Sequence, residues 1–172
     1  MYKIMIADDE GIVIESLTHI ITQNFGDSCV IKSAKTGRSV IELAEEFRPN
    51  IAFMDIQMPG INGIEAMKEI RKINESVIFI VMTAYDKFTY AKEAITLGVQ
   101  DYLTKPTNKN KIITTLEKAM RVIDARREKR SNDLMIKEKL VTIVPIIESG
   151  MIYSILFQED YTKDTYNFKQ LL

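Results

Sequence analysis

Residues 51–60 read Ile-Ala-Phe-Met-Asp-Ile-Gln-Met-Pro-Gly, and this stretch does most to decide the fold. The run Ile51–Asp55 is apolar until its last residue, and the chain breakers Pro59-Gly60 follow soon after it. A run that is apolar on both faces is typical of a strand buried inside a parallel sheet. The stretch therefore predicts a buried strand with a carboxylate at its carboxyl end.

Short β-type runs alternate with helical stretches along the first hundred residues. This alternation predicts an α/β fold, an open, doubly wound parallel sheet covered by helices on both sides, because right-handed crossovers and short loops favour it. The predicted strands are Lys3–Ala7, Cys29–Ala34, Ile51–Asp55, Val77–Met82 and Val99–Leu103. The predicted helices are Ile12–Phe25, Gly37–Phe47, Ile64–Ile73 and Tyr90–Leu97, with Gly98 just past the last one.

The composition limits the class of protein. The chain has 172 residues, of which 46% are hydrophobic and 27% charged, a balance that excludes disorder and fits one domain with a short remainder. A single cysteine, Cys29, excludes an intramolecular disulfide and a cysteine metal cluster. Apolar runs such as Val77–Met82 are far shorter than the roughly 20 residues of a membrane span. We expect a cytoplasmic protein without a signal peptide or membrane partner.

Charge is distributed unevenly although the net charge is −1. Basic residues number 10 against 15 acidic ones in residues 1–103, 11 against 5 in residues 104–140, and 2 against 4 in residues 141–172. The basic middle segment lacks interleaved aromatic residues, so a solvated helix is a better interpretation than a nucleic-acid interface.

Polar side chains stand where the predicted strands end. Asp8 and Asp9 follow the first strand, Asp55 ends the third, Thr83 follows the fourth and Lys105 follows the fifth. Chemistry in such folds lies at the carboxyl ends of the strands, so these side chains should meet at one edge. Three carboxylates at one place repel one another unless a cation neutralises them, and oxygen ligands of this kind suit Mg²⁺.

A carboxylate beside Mg²⁺ can act as a nucleophile toward phosphorus. Asp55 is the best acceptor, because the chain turns away just after it at Met58-Pro59-Gly60. Lys105 would neutralise a phosphoryl oxygen and Thr83 would donate a hydroxyl. These segments offer no evident general base for rapid turnover, which favours a phosphoacceptor over a hydrolase.

Four blocks of sequence resemble the receiver domain of two-component response regulators, in order and at similar spacings over about residues 1–123. They are Asp8-Asp9-Glu10, Met54–Pro59, Val81–Ala84 and Asp101–Pro106. The resemblance implies a flavodoxin-like (βα)5 sheet of strand order 2-1-3-4-5 with an extended C-terminal helix. It also implies a sensor histidine kinase as the partner that phosphorylates Asp55.

The resemblance implies further roles for individual residues. Mg²⁺ would be held by Asp9, Asp55 and the Gln57 backbone carbonyl, with Asp8 acting largely through water. The phosphoryl oxygens would contact Thr83, Lys105 and the backbone N–H groups of Gln57 and Ala84. Thr83 and the aromatic ring of Tyr102 would form the conformational switch, and Pro106 would follow a cis peptide bond that aims Lys105 into the pocket.

Beyond residue 123 the sequence predicts a charged helical linker, 124–147. Its apolar stripe lapses and then resumes at Ile136 and Leu140, so a solvated spacer and a coiled-coil seam are both open interpretations. Pro145 is expected to kink or restart the helix, and Gly150 to end it. Homodimers are expected either through the Tyr90–Ile123 face or through the linker.

Residues 148–172 are too few for a domain and resemble the beginning of a larger region. The stretch Lys139–Phe157 is similar to the segment that follows the receiver in response regulators of the YesN type, which continue to an AraC-like DNA-binding domain. We find no helix-turn-helix pattern after Lys139, so contact with DNA would require an output domain not present in this chain. Transcription regulation is therefore the expected role of a full-length protein.

Three alternative functions remain at this level. One is a stand-alone interaction module controlled by phosphorylation. Another is an aspartyl-phosphate phosphatase, which the adjacent Asp8-Asp9 pair and the residue Gln57 two places after Asp55 argue against, because such hydrolases present an Asp-x-Asp pair. The third is a degenerate receiver used as a scaffold, which would lack an acceptor, a lysine or an acid, whereas all are present here.

Overall fold

The computed structural model describes the backbone of residues 1–84 and 88–168 and the side chains of residues 1–84 and 90–141. Its five strands form one parallel sheet in the order β2-β1-β3-β4-β5, which confirms the predicted fold class and strand order. The strands are β1 (Tyr2–Ala7), β2 (Cys29–Ala34), β3 (Ile51–Asp55), β4 (Ile78–Thr83) and β5 (Asp101–Thr104).

The helices alternate with the strands as the sequence pattern predicts. They are α1 (Gly11–Phe25), α2 (Gly37–Phe47), α3 (Gly63–Ile73), α4 (Phe88–Thr96) and α5 (Lys109–Phe168), with a short 3-10 turn at Gly26–Ser28. β5 begins two residues later than the predicted Val99, because the apolar side chain of Val99 packs against the core without entering the ladder. The left-handed φ of 68° at Gly98 ends the turn after α4, where glycine is the least strained residue.

Two apolar cores cover the two faces of the sheet. Alternate residues of β1 point to opposite faces, so Met5 joins one core and Ile4 the other. Helices α2, α3 and α4 contribute to the first core, and α1 and the start of α5 contribute to the second. Burial on both faces explains why β3 and β4 read as unbroken apolar runs.

Local hydrogen bonds fix the starts of α2 and α3. Thr36 accepts a bond from the backbone N–H of Ser39, and the hydroxyl of Ser39 accepts one from the backbone N–H of Thr36, which together form a capping box. Asn62 caps α3 by accepting from the backbone N–H of Glu65 at 2.9 Å. Both caps hold the helix ends that face the β3–α3 loop.

Two glycines let these helix ends approach the β3–α3 loop closely. A β-carbon on Gly63 would lie 1.9 Å from the carbonyl oxygen of Asp55, and one on Gly37 would lie 2.0 Å from the carbonyl oxygen of Ile61. The N–H of Gly63 also donates to the carbonyl of Ile56 at 2.8 Å. The loop that follows Asp55 is thus packed between the ends of two helices.

Arg71 near the end of α3 joins two further loops. Its Nη1 donates to the carbonyls of Glu75 at 2.7 Å and Val77 at 2.8 Å, and its Nη2 donates to the carbonyl of Leu97 at 3.1 Å. The guanidinium carbon lies 4.8 Å from the centroid of the Phe79 ring. One planar side chain therefore ties the residues before β4 to the residues after α4.

Helix α5 extends beyond the sheet domain. The boundary between two compact units falls between Ile123 and Asp124, within this helix. From residue 124 to residue 141 every side chain is exposed, including the apolar Ile136 and Leu140 at 56% and 55%. Among the described residues, no helix is long and apolar enough to cross a membrane.

The helix neither ends at Gly150 nor restarts at Pro145. α5 continues through Pro145 and Gly150, so the prediction that Gly150 ends the helix is wrong, and the helix does not restart at Pro145. A glycine inside a helix costs only about 1 kcal/mol relative to alanine, which is too little to end a helix without a stabilising cap. Residues 169–172, the end of the predicted region 148–172, lie outside the described residues.

We predict that Gly63→Ala destabilises the protein by about 1–3 kcal/mol, because the new methyl group would overlap the Asp55 carbonyl and force the backbone apart. Urea denaturation measures this change. Gly11→Ala is the matched control, since a β-carbon there would meet only the flexible Lys35 ammonium at 3.4 Å. The control should be neutral or stabilise by up to about 1 kcal/mol. Equal midpoints for Gly63→Ala and wild type would contradict the close packing.

Candidate functional site

The side chains predicted to converge do lie together at the carboxyl edge of the sheet. Asp8 follows β1, Asp55 ends β3, Thr83 ends β4 and Lys105 follows β5. Asp8, Asp55 and Thr83 are buried, with 2%, 5% and 1% of their surface exposed. Parallel strands bring these ends together because all of them run in the same direction.

Lys105 is the centre of the charge network. Its Nζ lies 2.7 Å from Asp8 Oδ2, 3.2 Å from Asp55 Oδ2 and 3.4 Å from Glu10 Oε1. Its backbone N–H donates to the carbonyl of Thr83 at 2.8 Å, and the Lys105-Pro106 peptide bond is cis. The ammonium is largely buried, with 11% of the side chain exposed, so its attraction to these carboxylates is only partly screened.

Three carboxylates are close enough to share one cation. Ligand oxygens of Asp8, Asp9 and Asp55 all lie within 4.8 Å of one another. Asp55 Oδ1 is buried and has no hydrogen-bond partner among the described residues. A buried carboxylate oxygen without a donor is costly unless a cation or another ligand contacts it. The donor set therefore fits a hard divalent cation such as Mg²⁺.

The pKa values of the buried groups reflect this arrangement. Burial raises the pKa of the Asp55 carboxyl, and the charge of Asp8 raises it further, whereas the ammonium of Lys105 and the backbone N–H of Gln57 oppose the rise. Burial alone would lower the pKa of Lys105, but its hydrogen bond to Asp8 and the charges of Asp55 and Asp8 outweigh burial and raise it. The raised pKa of Lys105 keeps it a charged ammonium, whereas the raised pKa of Asp55 means that ionising its carboxyl costs free energy.

A cavity of about 270 Å³ opens over Asp55. It is large enough for a phosphoryl group and several waters. Gln57 and Ala84, the two residues predicted to offer backbone groups to the site, both line it. The residues that line it are Asp9, Glu10, Asp55, Gln57, Thr83, Ala84 and Lys105.

A second, larger cavity of about 450 Å³ adjoins the first and shares Glu10, Ala84 and Lys105 with it. Its remaining lining is mostly apolar and comes from α1, β4, α5 and the segment after β5. These residues are Ile12, Val13, Ser16, Leu17, Ile20, Met82, Pro106, Thr107 and Ile112.

Tyr102 lies on β5, opposite Val81 of β4, and is half-buried against the first apolar core. Its backbone N–H is bonded to Asp101 Oδ1 at 2.9 Å, and Asp101 Oδ2 accepts from the hydroxyl of Thr115 on α5 at 3.0 Å. The strand that carries Tyr102 is thus hydrogen-bonded to α5. No sequence pattern indicates this connection, because Thr115 lies in a helical stretch where it resembles any polar residue.

Sequence reasoning also missed a role for Glu10. The sequence pattern marks Glu10 only as part of the Asp8-Asp9-Glu10 block. In the structure its carboxylate contacts the Lys105 ammonium, and the residue lines both cavities. Its position directly after two acidic residues at a strand end was the available signal.

Comparison with known proteins agrees with this geometry. A model of the response regulator receiver domain matches residues 4–117. The chain belongs to the response regulator receiver domain family. It is therefore a receiver domain of two-component systems, a signalling module whose family works with sensor kinases.

Individual relatives include proteins of different length. The chain is 39% identical over 117 residues to the transcriptional regulatory protein YesN of Bacillus subtilis. The matched region covers 68% of this chain but only 32% of YesN. It is 35% identical over 116 residues to the chemotaxis protein CheY of Thermotoga maritima, covering 67% of this chain and 95% of that protein.

Among solved structures, the receiver domain of AraT, a response regulator from Geobacillus stearothermophilus, superposes with a TM-score of 0.67 at 35% identity. The match covers 73% of this chain and 98% of the AraT domain. This chain thus spans about a third of the length of YesN and nearly the whole length of the CheY protein.

We predict that Asp55→Asn stabilises the protein in the presence of a metal chelator. Asparagine resembles the protonated aspartate that burial and Asp8 favour, so it removes the cost of an ionised carboxylate. Because the pKa of Asp55 is raised by folding, this cost begins above about pH 4, grows as pH rises and levels off above the raised pKa.

Urea midpoints of wild type and Asp55→Asn, measured in chelator across that pH range, check this prediction. The advantage of Asn over Asp should widen with rising pH. A difference that narrows instead would mean that the Lys105 ammonium outweighs burial and Asp8.

Proposed function

We propose that Asp55 accepts a phosphoryl group from a sensor histidine kinase in a Mg²⁺-dependent reaction and thereby switches the conformation of the receiver. The observation that carries this proposal is the Asp55 carboxylate. Its buried Oδ1 has no hydrogen-bond partner among the described residues, and one of its two oxygens lies within 4.8 Å of ligand oxygens of Asp8 and Asp9. Asp55 Oδ2 lies 3.2 Å from the Lys105 ammonium. One oxygen of this carboxylate is therefore bound by Lys105, whereas the other is available to attack phosphorus.

The transfer step is a displacement at phosphorus. An Asp55 carboxylate oxygen forms the new O–P bond while the P–N bond of the kinase phosphohistidine breaks, and the electron pair of that bond leaves on the imidazole nitrogen. Lys105, the Thr83 hydroxyl and the backbone N–H groups of Ala84 and Gln57 hold the phosphoryl oxygens. The residues that carry these hydrogen-bond donors line the cavity over Asp55, which supports their assignment to the phosphoryl oxygens.

Asp9, Asp55 and the backbone carbonyl of Gln57 would hold Mg²⁺, with Asp8 contributing through water. The ion would supply positive charge to the phosphoryl oxygens. The protein positions these ligands from two strand ends, because Asp9 follows β1, and Asp55 and Gln57 belong to β3 and the loop packed by Gly63. Asp8 remains bound to Lys105 at 2.7 Å and keeps the ammonium in the site.

Phosphorylation changes the conformation of the β4–β5 edge of the sheet. Attraction of the Thr83 hydroxyl toward the phosphoryl group moves the end of β4, and Tyr102 on the paired strand turns inward in response. A phosphoryl group adds about −1.5 to −2 charges at neutral pH, which is enough to shift a two-state element of this kind. Thr83 and Tyr102 are the switch residues of this proposal.

The output proposed for a longer form of the protein is transcription regulation, with DNA contacted through a further domain. YesN, which bears the name of a transcriptional regulatory protein, supports this role. The second candidate is a stand-alone interaction module without an enzymatic output, because the chain also covers 95% of the chemotaxis protein CheY. In both cases residues 1–123 form a cytoplasmic receiver and 124–147 a helical linker. In the first case residues 148–172 are the start of a further region.

We expect the wild-type protein to gain one phosphoryl group when it is incubated with a small phosphodonor and MgCl₂, and to gain none with chelator. Intact-protein mass measures the gain. Asp55→Asn should gain none, because the nucleophile is lost. Asp27→Asn, which changes an exposed carboxylate in the turn after α1, should be phosphorylated as wild type is.

Two outcomes would count against the proposal. No gain in wild type without release of inorganic phosphate would leave the site as a scaffold. No gain with steady release of inorganic phosphate would identify a fast hydrolase.

Phosphorylation is also expected to promote homodimers through the Tyr90–Ile123 face or the linker helix. Sedimentation velocity of the phosphorylated chain, compared with Asp55→Asn under the same conditions, checks this. Leu140→Lys is the variant that separates the two surfaces, because Leu140 is 55% exposed on the linker part of α5. Dimers that survive this substitution use the receiver face, and a phosphorylated monomer at high concentration would contradict both.

A further inference from the structure

Glu10 occupies a helix-capping position but does not cap the helix. It precedes α1 with an extended backbone, and its side chain makes no capping hydrogen bond. Its carboxylate instead lies 3.4 Å from the Lys105 ammonium, and 56% of its side chain is exposed. Glu10 therefore places a negative charge at the mouth of the site, on the solvent side of Lys105.

Glu10 also lies on the wall shared by the two cavities. In the larger cavity it is the one carboxylate among the described lining residues, and Lys105 is the one cation. Around Asp55 it is a fourth carboxylate beside Asp8, Asp9 and Asp55, against the single Lys105 ammonium. A leaving group that departs through this mouth passes the apolar lining of the larger cavity and the half-exposed carboxylate of Glu10.

Phosphodonors differ in the charge of the group that leaves. Phosphoramidate and phosphohistidine break a P–N bond, and their nitrogen leaving group departs neutral because it carries a proton. An acyl phosphate breaks a P–O bond and releases a carboxylate anion. A nearby carboxylate repels the departing anion. Before the P–N bond breaks, the same carboxylate attracts the protonated nitrogen, which is still positively charged, and both effects are strong where water is partly excluded.

We infer that Glu10 is a specificity-determining residue that favours P–N phosphodonors over acyl phosphates. The inference rests on the proposed transfer to Asp55 and adds to it the chemical class of the donor. Asp55 forms the O–P bond in either case. With phosphoramidate the protonated nitrogen leaves as ammonia, and with acetyl phosphate the electron pair of the broken P–O bond leaves on acetate.

The test compares initial rates of phosphorylation of the full chain with phosphoramidate and with acetyl phosphate. MgCl₂ is kept saturating for each variant, and intact-protein mass is the readout. In Glu10→Gln the ratio of the phosphoramidate rate to the acetyl phosphate rate should fall about three- to fivefold, and in Glu10→Lys it should fall further. Added salt should shrink the difference between the variants, because the mouth is partly exposed.

The ratio separates specificity from other effects of the substitution. Release of Lys105 from Glu10 would change both rates by the same factor and leave the ratio unaltered. Glu15→Gln is the matched control, since it removes the same charge from an exposed position on α1 that lines neither cavity. Its ratio should equal that of wild type.

The inference is overturned if Glu10→Gln leaves the ratio unchanged, or if Glu15→Gln changes it equally, which would make net charge the cause. Failure of the proposed function gives a different result. In that case wild type gains no phosphoryl group from either donor, and the proposed transfer to Asp55 is overturned together with the donor preference.

Discussion

The electrostatic balance around the Lys105 ammonium is the interaction on which the site depends. Two buried carboxylates, Asp8 and Asp55, share this one cation at 2.7 and 3.2 Å. Burial of the Asp55 carboxylate, together with its repulsion by Asp8, is a cost of folding that one ammonium offsets only in part, as the raised pKa of Asp55 indicates. The protein groups of the site thus carry more negative than positive charge. Of the proposed ligands, a divalent cation would neutralise this excess, and a phosphoryl group would add negative charge beside the cation.

The parallel sheet delivers these charges to one point, and the backbone around them keeps them there. Asp55 lies at the end of a strand that is buried on both faces, so its position follows from the packing of two cores. The loop after it cannot relax outward from the sheet, because the ends of α2 and α3 pack against it with no β-carbon at Gly37 or Gly63. Such pre-organisation means that ligands bind without first ordering the chain.

Much of this arrangement could be predicted from the sequence, because it depends on periodicity and strand ends. The run Ile51–Asp55 and its neighbours specify buried parallel strands, and the residues that follow them specify the convergent edge. Contacts between side chains of different elements could not be predicted, since no local pattern encodes them. The link from Glu10 to Lys105 spans 95 positions in the chain, and the hydroxyl of Thr115 binds an aspartate on a strand. The prediction that Gly150 ends α5 is wrong, because a glycine ends a helix only where a cap or a competing contact stabilises the helix end.

The bonds of Arg71 have a mechanical consequence for the edge that carries the switch. They tie the carbonyl of Leu97, just past α4, to those of Glu75 and Val77, just before β4. The carboxyl end of α4 is therefore anchored, whereas its amino end follows the strand that ends at Thr83. A displacement of α4 would therefore leave its carboxyl end in place and appear as a rotation of the helix about that end. The helix would then act as a lever, with its largest movement at the amino end.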